Sequence, residues 1–194
     1  MEILTAVAFD EVRADFDRDH PVARDHEANT NQDAVDALLL ADRTFGGWSK
    51  VRLRHEELRT VMLPWHLSEG GERELVPRSG RTIGQAADLL RAHPAEFAAA
   101  NPVCQAKLDR FRTGPFTSVY LSVRALPHGD YADLPADAAP YHLDGLHRLL
   151  AWELSGRLAE AGGLTVFIAG DPSPLAHPAA GDGASQATTG GQRT

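Results

Sequence analysis

The run Tyr141-His142-Leu143-Asp144-Gly145-Leu146-His147-Arg148 gathers more reactive side chains than any other stretch of the chain. Tyr141-His142-Leu143 reads as a short strand. Leu146 to Ala161 reads as a helix with a stripe of Leu146, Leu149, Leu150, Leu154 and Leu158, so the run is a strand-to-helix junction turned at Gly145. The first N–H groups of a helix lack intrahelical partners and carry the positive end of its dipole, and together they attract anions. First-turn positions favour acidic side chains, yet His147 and Arg148 stand here. A cation at that end costs a few tenths to about 1 kcal/mol unless an anion is bound. Two readings follow from these residues alone. Arg148 pairs with a nearby carboxylate while His147 caps a loop, or Gly145, Leu146, His147 and Arg148 together hold a phosphate or carboxylate.

Other candidates surround this run. The segment Ser68-Glu69-Gly70-Gly71-Glu72-Arg73-Glu74 is a polar loop whose glycines allow close approach of a ligand. Glu69 or Glu72 there would serve as general base toward a substrate hydroxyl, the alternative being a solvated charged loop. His55-Glu56-Glu57 reads as an exposed helix face, and Trp65 as a packing residue or a surface for stacking. His142-x-Asp144 matches the H-x-D pair of non-haem iron oxygenases, which would make His142 and Asp144 metal ligands on one strand face. Against iron, the only later histidines are His147 and His177, and such oxygenases are all-β. No phosphate-binding Gly-rich loop, Gly-x-Ser-x-Gly elbow or His-Glu-x-x-His helix occurs.

The elements that must position these residues can be read from periodicity. Phe9, Val12 and Phe16 recur at helical spacing up to His20-Pro21, and a second helix spans Asn31 to Phe45, stopped by Gly46-Gly47. Lys50 to Leu53 alternates as a strand, and His55 to Leu63 reads as a helix closed by Pro64. Helices are predicted from Thr82, a cap, to about Ala100 and from Pro102 to Arg112. Strands are predicted over Phe116 to Leu126 and Leu164 to Ala169. The domain plan is a helical N-terminal extension over residues 1–48, a domain over 49–170, and a tail over 171–194. That tail has too few large apolar residues to order itself.

Asp144-Gly145-Leu146-His147-Arg148 followed by Leu149-Leu150-Ala151 resembles the D-G-x-H-R-x-x-A signature of the ParB/sulfiredoxin superfamily. The order of predicted elements from about residue 100 to 170 is similar too, whereas the first 45 residues have no counterpart. The resemblance implies an α+β fold, a small mixed sheet with packed helices, and a nucleotide whose phosphates rest on the motif's helix end. Sulfiredoxins need a cysteine before His-Arg, where this chain has Leu146. Chromosome-partitioning members carry a DNA-binding region after the motif, where this chain has its tail. The resemblance therefore points to the kinase-like members, with ATP or ADP and Mg²⁺ as cofactors and Asp144 and His147 near the reacting groups.

Composition bounds the rest. A net charge of −8 argues against a nucleic-acid partner, since neutralising phosphates needs a basic face. No apolar run approaches a membrane span, and Met1-Glu2-Ile3-Leu4 is no secretory leader, so a cytoplasmic protein without membrane partner is expected. Cys104 is the only cysteine, which excludes an internal disulfide and any multi-cysteine zinc site. Of 19 basic residues only Lys50 and Lys107 are lysine, a bias that high-GC bacterial coding produces. The expected function is nucleotide-dependent phosphoryl transfer to a small-molecule substrate. A non-catalytic module binding a nucleotide or acidic metabolite, and the iron oxygenase, are its rivals.

Overall fold

The computed structural model of the protein describes residues 1–20, 31–68, 70–136 and 140–176. An α+β architecture is built on one seven-stranded mixed sheet. In chain order its elements begin with β1 (Glu2–Val7), α1 (Phe9–Asp19), α2 (Asn31–Phe45), β2 (Trp48–Arg54), α3 (His55–Arg59), β3 (Met62–Leu63) and β4 (Arg81–Thr82). They continue with α4 (Ile83–Ala92), α5 (Pro94–Ala100), α6 (Pro102–Phe111), β5 (Tyr120–Ser122) and β6 (Tyr141–Asp144). The last are α7 (Leu146–Leu154), α8 (Arg157–Glu160), β7 (Gly163–Ala169) and α9 (Ser173–Ala176).

The strands lie in the order β1-β2-β7-β5-β6-β3-β4. The β5–β7 and β3–β6 pairs are parallel, and the other pairs are antiparallel. Alternation along the strands sends two sets of side chains to opposite faces. Trp48, Tyr120, Tyr141 and Phe167 pack with Val12 and Phe16 of α1 and Leu38 and Ala41 of α2. Val51, Leu53, Leu121, Val166 and Ile168 pack with α4, α6 and α7 through Leu90, Leu108, Leu149 and Trp152. The sheet is thus covered on both sides, and the junction run emerges on the second.

Several elements differ from the sequence reading, each for a visible reason. Residues 1–48 are not helical throughout, because Glu2–Val7 forms edge strand β1 against β2. Its first five residues are exposed, so no buried alternation marks it. The helix expected over Thr82–Ala100 divides into α4 and α5 at Pro94, which takes the first turn of α5. Thr82 does cap α4: its hydroxyl accepts from Gln85 N–H, and the Gln85 side chain accepts from Thr82 N–H. The long motif helix stops at Leu154, and Gly156 caps α8 separately. The helix expected to reach Leu63 ends at Arg59, and Met62 pairs in parallel with Tyr141. Of the predicted tail, Ser173–Ala176 is a short helix, and residues 177–194 lie outside the described residues.

A buried carboxylate knits the helical layer. Glu153 of α7, 3% exposed, accepts from Arg59 of α3, Arg91 of α4 at 3.1 Å and His55 at 2.8 Å. Those contacts hold α7 in place relative to its neighbours. Among the described residues no helix is long and apolar enough to cross a membrane.

Candidate functional site

The predicted junction forms as expected at its core. β6 ends at Asp144, Gly145 is the N-cap of α7, and the helix starts at Leu146. Gly145 has φ +108°, and a Cβ there would lie 3.0 Å from Val119 Cγ2, so both backbone and space require glycine. Leu146 is turned into the core, which leaves only its backbone for a ligand.

Arg148 is directed inward. Only 5% exposed, it ion-pairs with Asp144 and donates to the Thr117 hydroxyl at 2.8 Å. The Asp144 carboxylate also meets His20 Nε2 at 3.3 Å. Burial alone would raise the Asp144 pKa, but the Arg148 charge and the His20 hydrogen bond hold it well below the usual carboxylate range. Of the two readings open for Arg148, this geometry is that of the carboxylate pair.

His147 takes a different direction and meets residues that sequence reasoning did not join. Its Nε2 lies 3.2 Å from Cys104 Sγ, and Cys104 Sγ lies 3.4 Å from His66 Nε2. The donor atoms of His66, Cys104 and His147 all fall within 4.8 Å of one another. Three elements bring them together. Cys104 is the third residue of α6, near the positive end of that helix, and α6 lies against α7, which carries His147 in its first turn. His66 stands at the base of the glycine-bearing loop, closed by a bridge in which His66 N–H donates to Val76 at 3.0 Å and Leu75 N–H donates to His66 at 3.0 Å.

The surroundings are polar and under-satisfied. The Asn101 side chain, 1% exposed, finds no hydrogen-bond partner among the described residues for either amide atom. It stands at the N-cap of α6 without capping it. It faces Gly71, where a Cβ would come 2.4 Å from Asn101 Oδ1 and 2.7 Å from Ser68 Oγ, so the loop needs glycine to close over this spot. His142 is buried on β6 opposite Leu121, on the sheet face covered by α6 and α7, and neither ring nitrogen has a partner among the described residues. Unpaired buried polar atoms are uncommon and each asks for a water, ion or ligand.

Burial and mutual repulsion keep these histidines neutral. Burial, with the Lys107 charge, takes His66 down to about 4. Burial, with His66 and Lys107, takes His147 well below its ordinary value. Burial raises the Cys104 thiol, against the opposing effects of Ser68 and Lys107. His142 is likewise carried down to about 4 by burial, with Asp144 opposing.

That last shift fixes a sign. Below the ordinary imidazole value near 6.5, the unfolded chain binds a proton at His142 that the native state does not. Its contribution to stability is complete above that pH and is lost as the pH falls toward 4, at about 1.4 kcal/mol per unit. His142→Leu is expected to flatten this part of the stability profile and to be more stable than wild type at pH 5. Urea unfolding at pH 7.5, 6 and 5 reads it, and parallel profiles for the two proteins would overturn it.

The remaining predicted residues lie elsewhere. Glu72 is exposed, its N–H tied to Ala100 at 2.9 Å, and Glu69 lies outside the described residues. The β5–β6 register shifts between His142 and Asp144, and Asp144 is committed to Arg148 and His20. Trp65 donates to Glu74 at 2.7 Å and has Arg78 over its ring at 4.6 Å.

Comparison with known proteins adds one family. Residues 1–187 match DUF6309, described as a family of unknown function, and the chain belongs to that family. No curated protein matches the chain, and no solved structure does.

Proposed function

We propose that this DUF6309 protein is a metal-dependent hydrolytic enzyme whose single transition-metal ion is held by His66 Nε2, Cys104 Sγ and His147 Nε2. The convergence of these three donors carries the reading. In a tetrahedral zinc site, bonds of about 2.3 Å to sulfur and about 2.0–2.1 Å to nitrogen set the S···N edges near 3.5 Å. The two S···N edges are 3.2 and 3.4 Å, and all three donors lie within 4.8 Å of one another, so the histidines would draw together around an ion. A borderline-soft set of one thiolate and two imidazoles suits zinc and disfavours Mg²⁺ or Ca²⁺. Both imidazoles are neutral at pH 7, so an ion displaces a proton only from the thiol.

Three protein ligands leave a fourth position open, which is the catalytic pattern. His66 and His147 are half-buried rather than sealed. An ion there supplies a nucleophilic water at neutral pH. The water oxygen bonds to an electrophilic carbon or phosphorus, the bond to the leaving group breaks, and the water's proton passes to that group. Elemental analysis and X-ray absorption of the purified, untagged protein test this reading. The expected result is stoichiometric zinc with a shell of one sulfur and two imidazole nitrogens. Metal-free protein that takes up no zinc would overturn it.

A second reading keeps nucleotide-dependent phosphoryl transfer, on the ParB/sulfiredoxin-like junction with ATP or ADP and Mg²⁺. Its support is a cleft of about 680 Å³ beside the junction, lined by Arg52 and Thr117 together with the Arg18–Asp15 pair and Lys50, Thr117 being the residue that receives the Arg148 hydrogen bond. Calorimetric titration with ATP, ADP and CTP, with and without Mg²⁺, is its test. Saturable binding weakened about tenfold by Arg52→Ala, the loss of one charge-assisted contact, supports it. No binding at millimolar nucleotide sinks it.

A further inference from the structure

We infer that the centre formed by His66, Cys104 and His147 acts on an uncharged amide, whose carbonyl and N–H are held by Asn101 and Ser68 at the start of α6. This rests on the metal reading above and adds its substrate class. Asn101 is the N-cap of α6 and Cys104 its third residue, so the amide and the thiol share the first turn of the helix. Ser68 follows His66 by two residues, and His66 Nε2 lies 3.4 Å from Cys104 Sγ. Two hydrogen bonds fold the loop onto this spot. Gly71 N–H donates to the Ser68 carbonyl at 2.9 Å, and Glu72 N–H donates at 2.9 Å to Ala100, the residue before Asn101. A Cβ on Gly71 would lie 2.4 Å from Asn101 Oδ1 and 2.7 Å from Ser68 Oγ, so the two side chains converge on one point. The glycine that covers this point is itself partly exposed.

The donors and acceptors at this point set the chemistry of the ligand. Ser68 and Asn101 are 8% and 1% exposed, and Ser68 Oγ, Asn101 Nδ2 and Asn101 Oδ1 have no partner among the described residues. Because Asn101 does not cap α6, the first-turn N–H groups of Val103 and Cys104 add donors that no carbonyl of the helix accepts from. A ligand that only accepts, such as a carboxylate or phosphate, satisfies the donors and leaves Asn101 Oδ1 buried and unpaired. An amide answers both. Its carbonyl accepts from Asn101 Nδ2 or the helix end, and its N–H donates to Asn101 Oδ1 or Ser68 Oγ. Donors fixed on the carbonyl oxygen also favour the charge that grows there during attack. The water oxygen bonds to the carbonyl carbon, the C–N bond breaks, and a water proton passes to the nitrogen, giving a carboxylic acid and an amine. Of the two electrophiles open to the centre, carbon and phosphorus, this selects carbon.

The test uses full-length protein loaded with Co²⁺, whose visible bands report a tetrahedral thiolate site and change when a ligand reaches the ion. The probes are acetohydroxamic acid, which carries an amide carbonyl and N–H, and its N-methyl analogue, which lacks the N–H. Each is titrated into wild type, Asn101→Ala and Ser68→Ala. Acetohydroxamic acid is expected to shift the bands saturably. It should bind wild type about tenfold more tightly than the N-methyl analogue, the effect of leaving a buried acceptor unpaired. Asn101→Ala is expected to bring the two probes within about threefold of each other, and Ser68→Ala to narrow the gap by less. A preference caused by the bulk of the methyl group alone survives the Asn101 substitution. The bands of both variants without probe should stay at their wild-type positions, which shows the metal site intact. Equal binding of the two probes by wild type, a preference that survives Asn101→Ala, or cobalt bands that neither probe perturbs overturns the inference and leaves the metal centre standing. Absence of any thiolate-to-cobalt band removes the metal centre, and the inference with it.

Discussion

Replacing Cys104 with serine is expected to weaken zinc binding at least a hundredfold and to abolish the thermal stabilisation that zinc confers on wild type. Serine nearly matches the thiol in volume but does not ionise at neutral pH, so the site loses its only anionic ligand. A ligand that binds only the native state adds RT ln(1 + [L]/Kd), about 4 kcal/mol at a thousandfold excess over Kd. In a chain of this size each kcal/mol moves the melting temperature by about 2–4 °C, so wild type should gain roughly 10 °C with saturating zinc. The variant should gain little, while its metal-free melting temperature stays close to that of metal-free wild type. His66→Ala and His147→Ala should each reduce the gain as well. Equal zinc stabilisation of wild type and Cys104→Ser would show that the ion binds somewhere else.

The parts of this site differ in how plainly the sequence announces them. The junction is local: an apolar strand, a glycine and a leucine-striped helix lie within one run, and periodicity suffices to place His147 in a first turn. Its partners are remote. Cys104 lies 43 residues from His147, and His66 lies 38 from Cys104. Nothing in those intervals resembles a metal-binding spacing, because the meeting depends on α6 lying against α7 and on the bridge that closes the loop at His66 and Val76. A lone cysteine correctly excludes a multi-cysteine site but is silent about a mixed one. Edge strand β1 escaped for another reason: with both faces largely exposed, it has no apolar alternation to read. Arg148 was harder still. The residues alone leave a carboxylate pair and an anion site both open, and only the fold shows Arg148 turned back on Asp144, four residues earlier.

Arg148→Ala is accordingly expected to cost about 3–5 kcal/mol of stability, because removing one partner of a buried ion pair strands the other. Asp144 would keep only His20 at 3.3 Å, and the Thr117 hydroxyl would lose its donor. Replacing both charges should cost less than replacing one, so Arg148→Met combined with Asp144→Leu is expected to be more stable than Arg148→Ala. The pH dependence follows from the depressed Asp144 pKa. The pair's contribution is present above the ordinary carboxylate value near 3.9 and is lost as the pH falls through the lower native value. The gap between wild type and Arg148→Ala should therefore be widest at neutral pH and narrow as Asp144 takes up its proton. Urea unfolding of the three proteins at pH 7 and in the acid range reads both effects. An Arg148→Ala protein as stable as wild type would mean that the guanidinium contributes nothing to the fold. It would then be available at the end of α7 for an incoming anion, and the nucleotide reading would gain what the ion pair had lost.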